Sequence, residues 1–388
     1  MLEMHEALFN GRVLCDEGLV SGRVVLIEDG RILALVSPDD VRCASAKRRD
    51  LQGKMLLPGF IDTQVNGGGG VLFNDDPSEA TIRTIAEAHR RFGTTSLLPT
   101  LISETLDVVG RAIAAVGASI SNKVPGVIGI HIEGPFLSEA RKGTHDAAKF
   151  RVLDRDAVAL LSSLSTGRTL VTLAPEMTTP QLIAELVAKG VVVAAGHTNA
   201  TYANIGAALK SGLSGFTHLF NAMSPLTSRE PGVVGGALLD QNSWCGIIVD
   251  GHHVSPEALR IALRCKRHDR FMLVTDAMSN VGTRQDSFLL QGKKITVRDG
   301  KCIDEHGTLS GSALDMASAV RNAVSMLGID LAEAARMAST YPAEFLGLGH
   351  ELGKIAPGYR ANLVLADDDL NVFDTWIDGQ STGAARGA

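Results

Sequence analysis

The stretch VVVAAGHTNATYANIGAALKSGLSGFTHLFNAM, residues 191–223, decides the fold. Its two apolar runs, 191–196 and 213–217, are short and bounded by glycine, as buried strands are, and each ends on a histidine, His197 and His218. An alanine-rich helical stretch, 200–209, lies between them. Strand, helix and strand at this spacing make a βαβ unit, whose parallel strands deliver their carboxyl ends to one side of the sheet. Both imidazoles are therefore expected in one cleft.

Working outward, the same alternation covers most of the chain. Strand-like runs occur at 56–61, 95–98, 127–132, 170–173, 191–195, 215–217, 245–249 and 271–275, with helical spacing at 78–92, 104–120, 179–189, 256–264 and 314–327. Eight strands with intervening helices predict a (β/α)8 TIM-like barrel, whose chemistry sits at the C-terminal face. Ahead of it, runs 7–14, 23–28 and 31–36 carry turn signals at Asn10-Gly11 and Asp29-Gly30, and runs 361–365 and 371–377 follow it. Pairing the two ends predicts a small β-sandwich domain, 1–54 plus 354–388, beside a barrel of 55–353. The tail 379–388, rich in Gly, Ala and Ser, is expected to be disordered. The glycine run 67–70 lacks the Lys-Ser/Thr of a phosphate-binding loop and reads as a flexible segment at the barrel mouth. Residues 287–302 alternate like a hairpin turning at Asp299-Gly300, an excursion that would act as a lid.

Composition narrows the function classes. A net charge of −6 without a long Lys/Arg block gives no footprint for nucleic acid, and Lys47-Arg48-Arg49 reads as a solvated turn. No apolar run is long enough to span a bilayer, and the start, MLEMHEALFNG, lacks a leader's basic and apolar segments. The five cysteines are odd in number and dispersed, which fits reduced thiols in a cytoplasm.

The strand ends carry Asp62, Glu133, His197, His218, Asp250 and Asp276. Six of eight ends with a metal-competent or acid/base side chain point to a metal site. A carboxylate with two imidazoles is a zinc-type ligand set, so Glu133, His197 and His218 are the candidate ligands and Asp276 the candidate proton carrier. Zinc is the first expectation, with iron, cobalt and manganese compatible with the same ligands. His131, two residues before Glu133 on one strand, is an alternative ligand or a supporting residue. Asp276 as a turn cap and Asp62 as a structural carboxylate are the plainer alternatives. His5, His89, His268, His306 and His350 read as surface or hydrogen-bonded residues.

These residues resemble the amidohydrolase superfamily: LPGFID at 57–62 after a small β-domain, histidines at strand ends five and six, Asp276 after strand eight, and the closing GKIAPGYRANL at 353–363. Within it, HIEGPF (131–136), KGTH (142–145), GHTNA (196–200), THLFNAM (217–223), REPG (229–232), DGHH (250–253), LVTDAM (273–278) and LSGS (309–312) resemble the N-acetylglucosamine-6-phosphate deacetylase family. The resemblance implies hydrolysis of N-acetyl-D-glucosamine 6-phosphate to D-glucosamine 6-phosphate and acetate. By position it implies that Glu133, His197 and His218 bind the metal, that Asp276 is the acid/base, and that His145 sits near the substrate carbonyl. It further implies substrate contacts from Thr144, Asn221, Ala222, His253 and the segment Leu309, Ser310 and Gly311. Arg229 matches an arginine that reaches the phosphate in a neighbouring subunit, which implies a homodimer.

The superfamily's first-strand His-x-His is replaced here by Gln64 and Asn66. Amides are poor zinc ligands beside imidazole, so one strongly bound metal is expected, with Gln64 and Asn66 at most a weak second-metal region. His252 and Asn362 are smaller departures. A cyclic amidase of the dihydroorotase or hydantoinase kind is the second reading, disfavoured because such enzymes use the first-strand histidines and a bridging lysine. An inactive scaffold is the third, and retention of Asp276 argues against it.

Overall fold

The computed structural model describes residues 5–383. Residues 1–4 of the stretch read as lacking a leader, and 384–388 of the expected tail, lie outside the described residues. Eight parallel strands follow one another around the barrel: Phe60–Val65, Thr94–Ile102, Gly129–Glu133, Arg168–Leu173, Val192–Ala195, Gly215–Phe216, Trp244–Ile247 and Phe271–Leu273. Nearly every residue in them is buried, which is why they read as continuous apolar runs rather than alternating ones.

The seam between the first and eighth strands is closed beyond the strand ends. Asp276 N–H donates to the Gln64 carbonyl at 3.0 Å, and Asn66 N–H to the Ala277 carbonyl at 2.9 Å. Buried Asp62 accepts from Thr275 Oγ1 at 2.5 Å and from Thr275 N–H at 3.3 Å. The barrel thus closes where the candidate proton carrier stands.

Helix starts follow side-chain caps. Ser78, Thr179, Thr201, Ser255 and Asp315 each accept a hydrogen bond from the third residue of the helix they precede. Thr201 and Asn204 form a reciprocal capping box, so the expected helix at 200–209 runs Tyr202–Lys210. Gly232–Leu239 showed no sequence signal because it is buried on nearly all sides and carries no polar stripe. Among the described residues, no helix is long and apolar enough to cross a membrane.

The two ends of the chain build two further sheets. One orders Arg31–Val36, Val24–Glu28, Glu6–Phe9 and Lys47–Asp50. The other orders Gln380–Ser381, Val372–Ile377, Leu363–Ala366, Met55–Pro58, Arg12–Cys15 and Gly18–Val20. Four expectations are corrected here. The run 7–14 divides between the two sheets, broken by Asn10 in left-handed backbone at φ 55°. The run 56–61 also divides: Met55–Pro58 pairs with Leu363–Ala366, and the barrel begins at Phe60. Gly59 joins them because a Cβ there would lie 2.0 Å from Thr95 Oγ1. Lys47-Arg48-Arg49 is a strand, not a turn, with Arg49 paired to buried Asp374 and stacked 4.5 Å over the Trp376 ring. The front of the expected disordered tail is ordered, since Gln380–Ser381 adds a short strand.

The glycine run 67–70 is not a flexible loop. Gly67–Gly68 pairs with Val71–Leu72, and Gly69 and Gly70 donate to the carbonyls of Val281 and Ser279. A Cβ on Gly67 would meet the Val71 carbonyl oxygen at 2.5 Å, so the close approach requires glycine. Above the barrel mouth, Ser287–Leu290, Lys293–Arg298, Lys301–Ile303 and Leu309–Ser312 form an antiparallel sheet, one strand pair larger than the expected hairpin. Its underside, Leu290, Ile295 and Cys302, packs on Leu72, Ile102 and Met278.

Candidate functional site

Glu133 ends the third strand, while His197, His218 and Asp276 stand two to three residues past the fifth, sixth and eighth. His197, His218 and Asp276 have φ of 48°, 33° and 52°. Left-handed backbone at non-glycine residues costs on the order of 1–3 kcal/mol each, and here it turns three side chains inward from strands that end just below. All four are buried.

Glu133 Oε1 lies 3.0 Å from His218 Nε2 and 3.2 Å from His197 Nε2, and the two nitrogens are 3.1 Å apart. Donors bound to one zinc ion at about 2.0–2.1 Å in a tetrahedron stand roughly 3.3 Å apart. The three atoms therefore nearly match three corners of such a site, and these residues form a buried group that could hold a metal ion. The orientation of His197 supports the fit: its Nδ1 donates to the Arg141 carbonyl at 2.9 Å, which leaves the Nε2 lone pair for a cation. Burial opposes charge on Glu133, but with no cation between them the imidazoles of His197 and His218 outweigh it and hold the carboxyl well below the usual range.

Gln64 and Asn66 turn their NH2 groups toward the carboxylates, and Asn66 Oδ1 is buried with no partner among the described residues. Gln64 Nε2 lies 3.3–3.4 Å from the Glu133 oxygens and 3.1 Å from Asp276 Oδ1, and Asn66 Nδ2 donates to the same Oδ1 at 2.6 Å. Asp276 Oδ2 has no partner among the described residues. Burial, followed by the charge of Glu133, raises the Asp276 pKa to about 6.

The group opens into a cavity of about 500 Å³. Of the residues expected around substrate, Thr144, His145, Asn221, Ala222, His253, Leu309 and Gly311 line it, whereas Ser310 is buried beside them. Arg229 is exposed and does not line this chain's cavity, where Arg141 is the only arginine or lysine among the described residues. His131 lies outside the ligand group, held between Thr100 Oγ1 at 3.2 Å and Thr172 Oγ1 at 2.7 Å, and burial pushes its pKa down to about 4. It is a neutral peg inside the barrel. His89, buried, bonds the Gly67 carbonyl.

Sequence reasoning missed two kinds of support. Asp250 appeared only as a strand end, yet its Oδ2 pairs with His253 Nδ1 at 2.6 Å while its Oδ1 accepts from the N–H groups of His252 and His253. The Asp-Gly-His-His spacing, an Asx turn, was the available signal. Ser103 and Gln291 gave no signal, because they meet His145 and its loop only through long-range packing.

The sequence profile described as the amidohydrolase family matches residues 55–382. An N-acetylgalactosamine-6-phosphate deacetylase of Shewanella sp. (strain ANA-3) is 45% identical, covering 95% of this chain and 94% of the relative. An N-acetylglucosamine-6-phosphate deacetylase of Haemophilus influenzae is 36% identical, covering 97% and 99%. The crystal structure of N-acetylglucosamine-6-phosphate deacetylase from Pasteurella multocida superposes with a TM-score of 0.94 at 38% identity, covering 97% of this chain and 99% of that one.

Proposed function

The chain belongs to the amidohydrolase family, and we propose that it hydrolyses N-acetyl-D-glucosamine 6-phosphate to D-glucosamine 6-phosphate and acetate. The observation that carries this reading is the convergence of Glu133, His197 and His218 on one point beside Asp276, at the base of a cavity edged by hydrogen-bonding groups. These three residues would hold one divalent ion, zinc in first place. When bound, such an ion supplies a polarised amide carbonyl and a more acidic water.

The remaining chemistry belongs to side chains. Asp276, tethered at Oδ1 by Gln64 and Asn66, keeps Oδ2 free to take a proton from the attacking water. The water oxygen bonds to the carbonyl carbon, the C–N bond breaks, and Asp276 returns the proton to the departing amine. His145 donates to the carbonyl oxygen as charge develops there. Thr144, Asn221, Ala222 and the segment Leu309, Ser310 and Gly311 orient the sugar. His253, held by Asp250, and Arg229 of a second copy bind the phosphate. The exposure of Arg229, which does not line its own cavity, supports this role across a homodimer. Gln64 and Asn66 spend their NH2 groups on carboxylates, which supports one ion per chain. The dispersed free cysteines support a cytoplasmic setting.

A second reading concerns only the configuration at C4 of the sugar. The Shewanella relative, at 45% identity, is named for the galactosamine epimer. The test is acetate release from both N-acetylhexosamine 6-phosphates and from unphosphorylated N-acetylglucosamine, on protein of measured metal content. Phosphate-dependent release with about one metal per chain is expected. Faster turnover of the galacto epimer would assign the chain to that sugar, and no release from either phosphate by metal-loaded protein would refute the proposal.

A further inference from the structure

We propose that Gln291, at a turn of the sheet over the cavity, is a positioning residue that acts through Ser103 to hold His145 as a hydrogen-bond donor facing the substrate. This rests on the reading of His145 given above and adds how its proton is placed.

The argument starts from the Ser103 backbone. Its N–H lies 3.3 Å from His145 Nδ1, and its Oγ lies 2.8 Å from the same atom. A backbone nitrogen can only donate, so Nδ1 is an acceptor and the neutral ring carries its proton on Nε2. Among the described residues Nε2 has no hydrogen-bond partner, and it is not among the enclosed polar atoms, so it opens toward the cavity that His145 lines. The ring centre is 4.3 Å from that of His197, which puts the donor beside the candidate metal ligands.

Ser103 and the His145 loop come from different parts of the barrel, and one amide ties them together. Gln291 Nε2 donates to the Ser103 carbonyl at 3.0 Å, and its Oε1 accepts from the N–H of Asp146, the residue after His145, at 3.1 Å. Gln291 sits in left-handed backbone at φ 47° in the turn between Ser287–Leu290 and Lys293–Arg298, which aims its side chain at both loops. The sheet is seated separately, by Leu290, Ile295 and Cys302 on the apolar residues beneath. Losing the amide therefore need not unseat the sheet.

Gln291→Leu keeps the bulk and removes both hydrogen bonds. It is expected to lower kcat about fivefold to tenfold, with KM changed by less than about twofold. In a His145→Gln background the same substitution should have no further effect on kcat, because its route runs through that imidazole. An equal loss in both backgrounds, or a change in KM alone, would overturn the proposal. The tautomer is read without turnover, by 15N NMR of histidine-labelled, zinc-loaded protein, with His145→Gln assigning the signal. A protonated Nε2 in the parent, mixed with the other tautomer in Gln291→Leu, is expected. A parent protonated at Nδ1 overturns the proposal whatever the substrate, whereas absent acetate release would refute only the reaction.

Discussion

Asp62 offers a test of the barrel seam that is independent of catalysis. It is fully buried, and its pKa is raised to about 7, by burial first, against the hydrogen bonds from Thr275 and Gln64. An unfolded aspartate titrates near 3.9. The sign follows: between those values the unfolded chain ionises while the folded chain holds its proton, so stability falls as pH rises through this window. With these two pKa values the penalty is about 2 kcal/mol at pH 5 and about 4 kcal/mol at pH 8, a loss of about 2–3 kcal/mol across the interval. Asp62→Asn mimics the protonated acid: its carbonyl can still accept from the N–H groups of Gln64 and Thr275, and its NH2 can donate to Thr275 Oγ1. Urea unfolding of both proteins at pH 5 and pH 8, with saturating metal, isolates the term, because other titrating groups cancel in the comparison. The parent should lose about 2–3 kcal/mol more than Asp62→Asn over that range. Parallel pH dependence in the two proteins would refute the reasoning and imply that Asp62 is ionised in the fold.

Three further outcomes are expected. Asp276→Asn should reduce turnover at least about a hundredfold while metal content by elemental analysis stays unchanged, since it removes the proton carrier and none of the three ligands. Arg229→Ala should raise KM for the phosphorylated sugar about tenfold or more, with little change in melting temperature, because the residue is exposed; an unaltered KM would remove it from the site. Lys266→Met should destabilise by about 2–4 kcal/mol in urea unfolding, since the buried ammonium donates to the carbonyls of Ala237 and Asp240 and to Ser243 Oγ, three acceptors that methionine leaves unpaired.

The amino-acid sequence by itself determined the barrel and which residues stand at the ends of its strands. Parallel strands buried on both faces must be apolar throughout, and a polar side chain just past such a run must stand at the strand end, so Glu133, His197, His218 and Asp276 were readable from pattern alone. What only the tertiary structure decided depends on contacts between distant segments. Met55–Pro58 reads like the start of a barrel strand, but its partner, Leu363–Ala366, lies some three hundred residues away in the chain. Glycines 67–70 read as flexible because the backbones that press on them come from 277–281. Gln64 and Asn66 read as lost ligands, and only the fold turns their amides toward Asp276 and Glu133. The proton on His145 is likewise set by Ser103, forty-two residues earlier, because a tautomer is chosen by whichever backbone donor the fold brings to the ring.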